Sequence, residues 1–371
     1  MPNNQSANQS ASQSASQSAS QSAKQQSKQQ TKQHLIHSFD PSGVGLDNGN
    51  IFGFPFDYDT ADIIVYGVPW EVTVSFHQGT AQGPQAVLEA SPQLDFYDYD
   101  NPTGWQQGIY MPPVPEWIGQ ENERLRSLAQ KIVIATEQGV SLSDGEKNTL
   151  HAVNAGCHQL NQWLLKASRK ALKEGKKVGV VGGDHSVPLG AIQALAEKYD
   201  SFGILHIDAH CDLRDAYQGF TYSHASIMHN ALKLPQLSKL VQVGVRDVSP
   251  REVHRVEESK GRIVLYHDTA LKRSRYEGTP WRTLCQQIVD NLPQQVYISF
   301  DVDGLDPKLC PATGTPVPGG LDLDEAFCLL REVADRCEII GFDLCEVGPD
   351  AWDGNVGARI VSKLCSLMGL L

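Results

Sequence analysis

Long apolar runs are missing from this sequence. No stretch of 18 or more consecutive apolar residues occurs among its 371, so no membrane-spanning helix is expected. The first residues also lack the apolar segment of a secretory signal. Positive charge is scarce. Lys and Arg number 31 against 43 Asp and Glu, a net charge of −12, which argues against non-specific binding to nucleic-acid phosphates. A small cationic substrate is compatible with that balance but is not demonstrated by it. Paired cysteine motifs are absent as well: the 8 cysteines are scattered with no Cys-x-x-Cys, which reads as free thiols in a reducing compartment. These absences lead to the expectation of a cytoplasmic protein with neither a membrane nor a nucleic-acid partner.

Residues 1–34 have no acidic side chain, no aromatic ring and no apolar periodicity, only near-repeats of Ser-Ala-Ser-Gln followed by a Lys/Gln stretch with Lys24, Lys28 and Lys32. Such a segment has too little apolar surface to offset its ordering entropy. A disordered Gln/Ser-rich tail is therefore expected over 1–37, ahead of one domain over 38–371.

In that domain, short apolar runs alternate with segments of helical spacing. Runs near 62–68, 177–181, 202–205, 239–245, 262–266, 295–300 and 338–344 read as strands. Helical spacing falls near 84–90, 121–137, 146–174, 188–198, 250–258, 281–291, 322–335 and 356–370. Alternation of this kind predicts an α/β fold, a mainly parallel sheet with helices on both faces.

Three of the strands end in residues that ligate metals. The first is followed by Gly182-Gly183-Asp184-His185-Ser186, the second by Asp208-Ala209-His210-Cys211-Asp212, and the third by Asp301-Val302-Asp303-Gly304-Leu305-Asp306-Pro307. In extended backbone, Asp208, His210 and Asp212 share one face, as do Asp301 and Asp303. Parallel strands bring these ends to one edge, where open α/β folds place their sites. Crowded carboxylates and imidazoles need a cation between them, although a solvated acidic loop remains the alternative for any one stretch alone. Two histidines and four aspartates form a mixed N/O set unlike a structural zinc site, and they suit two divalent ions such as Mn²⁺, Ni²⁺ or Co²⁺ with shared carboxylates. Paired ions of this kind activate water as a nucleophile at neutral pH.

The motifs GGDHS, DAHCD and SFDVDGLDP resemble the three signatures of the ureohydrolases, the family of arginase, agmatinase, guanidinase and formiminoglutamase, over roughly residues 60–370. The resemblance implies a three-layer α/β/α fold around a parallel eight-stranded sheet, assembled as a homotrimer or homohexamer. It also implies two Mn²⁺ ions, or Ni²⁺ in guanidinases; whether a metal-loading chaperone is a further partner is left open by the sequence. By motif position, His185 and Asp212 would hold one ion, His210 and Asp303 the other, and Asp208 and Asp301 would bridge them. Glu346 matches the family's guanidinium-binding glutamate and His224 its proton-shuttle histidine. For Glu346 a structural salt bridge, and for His224 a satisfied loop histidine, are the plainer alternatives. Asp306 reads as a turn residue.

The substrate is harder to read. The stretch from Arg214 and Asp215 through Ser226 is closer to agmatinases and guanidinases than to arginases, and Trp70–Thr80 resembles the guanidinase branch. Bulky Trp70, Phe76 and Trp352 would narrow a mouth for a substrate without a tail, or would be packing residues. Thr73 would hydrogen-bond a small guanidinium, or stabilise a turn. Free guanidine is the first expectation and agmatine the alternative, with another guanidino acid behind them. An inactive metal-binding accessory subunit is the reading from a different class.

Overall fold

The structure, a computed structural model, describes residues 25–370; the disorder expected for residues 1–24 lies outside them. Eight strands form one sheet: β1 (Ile63–Val68), β2 (Ile109–Tyr110), β3 (Lys177–Gly182), β4 (Phe202–Ile207), β5 (Leu237–Val243), β6 (Ile263–Tyr266), β7 (Gln295–Asp301) and β8 (Glu338–Cys345). Their order is β2-β1-β3-β8-β7-β4-β5-β6 and every pairing is parallel. β1 and β4 are buried along their whole length. Burial on both faces is why these strands read as continuous apolar runs and not as an alternation.

Helices cover the sheet: α1 over residues 25–38, then α2 (Gly83–Ala90), α3 (Glu116–Glu137), α4 (Asp144–Lys173), α5 (Leu189–Lys198), α6 (Ile227–Ala231), α7 (Pro250–Glu258), α8 (Asp268–Tyr276), α9 (Trp281–Val289), α10 (Leu323–Arg336) and α11 (Ala351–Leu367). α4 packs on α3 and α5, α2 on α11, and α9 on α10. Sequence chemistry sets several starts. Pro84 occupies the first turn of α2, and Ser143 with Glu146 forms a reciprocal capping box on α4. Ser249 and Glu252 do the same for α7, with Glu252 Oε2 taking the Ser249 N–H at 3.0 Å.

Two expectations are corrected. Residues 25–37 belong to helix α1 where disorder was expected. Leu35 and Ile36 pack against the core, and the buried Lys32 ammonium is held by the Gln107 carbonyl at 2.6 Å and Asp62 at 2.5 Å. Among the aromatics, Trp70 belongs to the core at 1% exposure, whereas Phe76 and Trp352 are 65% and 55% exposed. All 8 cysteines are free thiols, and among the described residues no helix is long and apolar enough to cross a membrane.

The strand order positions the site. From β3 the chain passes through α5 to β4, leaving a gap that β8 and β7 later fill. The carboxyl ends of β3, β8, β7 and β4 therefore lie side by side, at the reversal of strand order where α/β sheets open a crevice.

Candidate metal centre

His185 lies three residues beyond β3, and Asp208, His210 and Asp212 continue from β4. Asp301 ends β7, with Asp303 two residues on, and Glu346 follows β8 directly. The fold brings together all six of the expected ligands. His185 Nδ1 lies 3.1 Å from Asp208 Oδ2, 3.1 Å from Asp301 Oδ2 and 3.4 Å from Asp212 Oδ2. His210 Nδ1 lies 3.0 Å from Asp303 Oδ2 and 3.3 Å from Asp208 Oδ1. Asp208 thus offers one oxygen to each histidine. Asp301 meets the His185 group, while its other oxygen takes the Asp303 N–H at 2.8 Å.

A common device aims these carboxylates. One oxygen is tied to a backbone N–H and the second is left to point inward. Asp303 Oδ1 takes the Ala209 N–H at 3.0 Å, and Glu346 Oε1 takes that of His185 at 3.0 Å. Asp212 and Glu346 have φ of 52° and 63°, a left-handed conformation that costs a non-glycine residue of order 1 kcal/mol or more.

One imidazole nitrogen cannot satisfy three buried carboxylates with a single proton. The donor atoms of His185, His206, Asp208 and Asp212 lie within 4.8 Å of one another, as do those of Asp208, His210 and Asp303. Two overlapping N/O groups that share Asp208 fit two divalent cations. Electrostatics agrees. Burial, reinforced by neighbouring carboxylates, pushes the carboxyls of Asp212, Asp301 and Glu346 well up. For Asp208, burial acts in the same sense but is outweighed by His206, His185 and His210, which hold it well below the usual range.

The sequence reading missed the residues behind this layer. His206 Nε2 lies 2.8 Å from Asp208 Oδ2, and Gln242 Nε2 sits 2.8 Å from His206 Nδ1. His185 Nε2 meets Ser299 Oγ at 2.9 Å, and Ser299 in turn donates to Asp343 at 3.2 Å. Partners of this kind fix ring orientation. They sit inside apolar strands, and only the i, i+2 relation of His206 to Asp208 signals them.

A cavity of about 160 Å³ opens over the centre, and its walls include His185, His210, Asp212, His224 and Glu346. Glu346 is 3% exposed, and its Oε2 has no hydrogen-bond partner. A Cβ on Gly314 would come within 2.6 Å of that oxygen, so glycine there keeps it accessible. Burial, together with the positive charges of His210 and His185, pushes His224 down to about 4. Thr73 is buried behind this wall, its Oγ1 accepting the His224 N–H at 3.3 Å. Trp70, Thr73, Phe76 and Trp352 are not among the lining residues; Ser75, Arg214, Tyr217, Asp247 and Glu252 are. Of the expected aromatic mouth, Trp70 is corrected to its packing alternative: the ring is buried in the core, and its carbonyl takes the Asp184 N–H at 2.7 Å.

Comparison with known proteins agrees with this geometry. A family model described as the arginase family matches residues 61–369. An N(1)-aminopropylagmatine ureohydrolase of Thermus thermophilus is 32% identical over 295 residues, 79% of this chain and 85% of that one. An agmatinase of Neisseria meningitidis is 29% identical over 337 residues, 86% and 94% of the two chains. Among solved structures, proclavaminate amidino hydrolase from Streptomyces clavuligerus superposes with a TM-score of 0.68, at 22% identity, over 89% of this chain and 99% of its own length, a likeness of fold.

Proposed function

The chain belongs to the arginase family, and from that premise we propose that it hydrolyses free guanidine to urea and ammonia at a centre of two divalent ions, Ni²⁺ first and Mn²⁺ as the alternative. His185 and Asp212 would hold one ion, His210 and Asp303 the other, with Asp208 and Asp301 serving both. When bound, the ions supply Lewis-acid chemistry and a nucleophile drawn from water.

The observation that carries this reading is the free Oε2 of Glu346, buried in the wall of a small cavity. A buried carboxylate oxygen without a donor is costly, and a planar guanidinium supplies the N–H groups it lacks. Glu346 orients the substrate. His224, neutral at pH 7, moves a proton toward the nitrogen that leaves, and Thr73 holds the His224 loop. The balance is guanidinium plus water giving urea plus ammonium. A cavity of about 160 Å³ is far below the several hundred Å³ typical of larger ligands, which favours a substrate with no tail. In this reading the enzyme is cytoplasmic and works as a homotrimer or homohexamer.

A second reading, agmatine, is favoured by Asp247, an exposed carboxylate in the cavity wall suited to a terminal ammonium, and by the names of the relatives. Urea release from guanidine and from agmatine, on protein loaded separately with Ni²⁺ and Mn²⁺, decides between them. Guanidine turnover is the expected result. Agmatine turnover alone, with putrescine formed, would replace it by the second reading, and no urea from either would overturn both.

A further inference from the structure

Arg246 has no part in the chemistry above, yet its guanidinium is fully engaged next to the site. It lies three residues beyond β5. Nη2 donates to the carbonyl oxygens of Asp303 at 2.6 Å, Val317 at 2.8 Å and Leu305 at 3.1 Å. Nη1 donates to Gly244 at 2.9 Å and more distantly to Gly304 at 3.5 Å, and Nε to Val317 at 3.2 Å. Among the described residues it makes no ion pair. A permanently charged, planar fork of donors is thus spent on the backbone of three segments: the end of β5, the turn after β7 that carries Asp303, and the segment 313–317.

That last segment is a strap across the site. Thr315 Oγ1 donates to Asp303 Oδ2 at 3.2 Å, Thr313 Oγ1 donates to the Glu346 carbonyl at 2.7 Å, and the Gly314 carbonyl takes the His77 N–H at 3.2 Å. The strap also contributes Thr315 to the cavity wall. Charge-assisted hydrogen bonds are stronger than neutral ones and geometrically selective. A guanidinium shared among these carbonyls locks the Asp303 turn to the strap as one unit.

We propose that Arg246 is a positioning residue for the metal centre: it sets the place of the Asp303 carboxylate in the His210 half of the site. This rests on the reading that Asp303 holds one of two ions. Loss of Arg246 leaves every ligand in the sequence but loosens the support of one of them. Changes to such supports weaken metal affinity by about 10–100-fold.

The molecule provides its own control. Arg262 makes the same kind of carbonyl clamp far from the cavity, donating to Leu237 at 2.8 and 3.1 Å, Leu232 at 2.9 Å and Leu234 at 3.2 Å. The test compares Arg246→Met, Arg246→Lys and Arg262→Met in the full chain. It reads the melting temperature without metal, Mn²⁺ retained after desalting, Mn²⁺ affinity, and the spin-coupled signal of a manganese pair. Both Met variants are expected to melt lower. Only Arg246→Met should drop from two retained ions toward one, lose the coupled signal and bind the weaker ion about 10–100-fold less tightly, with Arg246→Lys between it and wild type. Should Arg246→Met fail to fold, the lysine variant carries the same comparison. Wild-type ion retention and coupling in a folded Arg246 variant that melts as Arg262→Met does would overturn the proposal. A wild-type chain holding a single ion would overturn the two-ion reading together with the clamp. Two ions in wild type, one in Arg246→Met and no urea from either would support the clamp and overturn the hydrolase reading instead.

Discussion

Glu346 pairs an uncommon backbone, φ 63°, with a buried oxygen that nothing in the described chain satisfies. Two unfavourable features in one residue, about 1–3 kcal/mol for each, point to a role in binding. Glu346→Gln keeps the shape, so the amide oxygen still takes the His185 N–H. The charge that would meet a guanidinium is gone. The expected outcome is a loss of about 10–100-fold in kcat/KM with both ions still bound. A fall in bound metal alongside activity would mean that Glu346 acts through His185 and not on substrate. His224→Ala should lower kcat by about 10²–10⁴-fold with little change in KM, checked by steady-state kinetics on metal-replete protein. The candidate ligands stand at the strand ends where their motifs placed them, but not by the extended alternation expected: β4 stops at Ile207, Asp212 has φ of 52°, and Asp303 lies in the short helical turn Val302–Gly304, so local turns bring the side chains together. Trp70 was not readable, because the direction of its ring depends on a long-range packing partner. A Cβ at Gly183 would come within 2.1 Å of the Trp70 carbonyl, a proximity that the local sequence does not encode.

At the level of elements, the sheet was readable where strands are long and buried and obscure where they are short. β2 is two residues at the sheet edge, too brief for any periodicity, and α8 is a polar helix with few buried positions. Helix α1 shows a different reason for the discrepancy. Residues 25–34 carry almost no apolar side chain, but Gln and Lys are good helix formers, and two lysines one turn apart find carboxylates on the body of the protein. Lys28 meets Asp59 at 2.6 Å on the surface, a pair of small consequence. Lys32 is the stronger anchor, with only 9% of its side chain exposed. Lys32→Met removes a charged donor from the Gln107 carbonyl and should weaken the docking of α1 by about 1.5–3 kcal/mol. Limited proteolysis would register this as faster cleavage within 25–38, with residues 39–370 resistant. Equal cleavage rates would mean that Leu35 and Ile36 hold the helix without the lysine.

For the whole molecule, strand order was beyond local reading, since β8 and β7 enter between β3 and β4 only after the chain has passed both. That late insertion gathers the candidate ligands from segments over 100 residues apart in sequence, from His185 to Asp303. It also concentrates buried carboxylates in a chain whose net charge is already −12. Asp208, Asp212, Asp301, Asp303 and Glu346 are all buried at one edge of the sheet. Ions that bind the folded chain and not the unfolded one stabilise it by RT ln(1 + [L]/Kd), about 4 kcal/mol per site at a thousandfold excess over Kd. Two such sites on a chain of this length correspond to a melting shift on the order of 10 °C. Scanning fluorimetry of the metal-loaded protein, with and without a chelator, should therefore show a large drop on chelation. Asp208→Asn tests whether the drop comes from this cluster. Asp208 supplies an oxygen to both donor groups, so its loss should abolish most of the metal-dependent gain, whereas Asp303→Asn should remove nearer half. Similar residual gains in the two variants would mean that the groups do not share Asp208 as a bridge, and that the two halves of the centre fill independently.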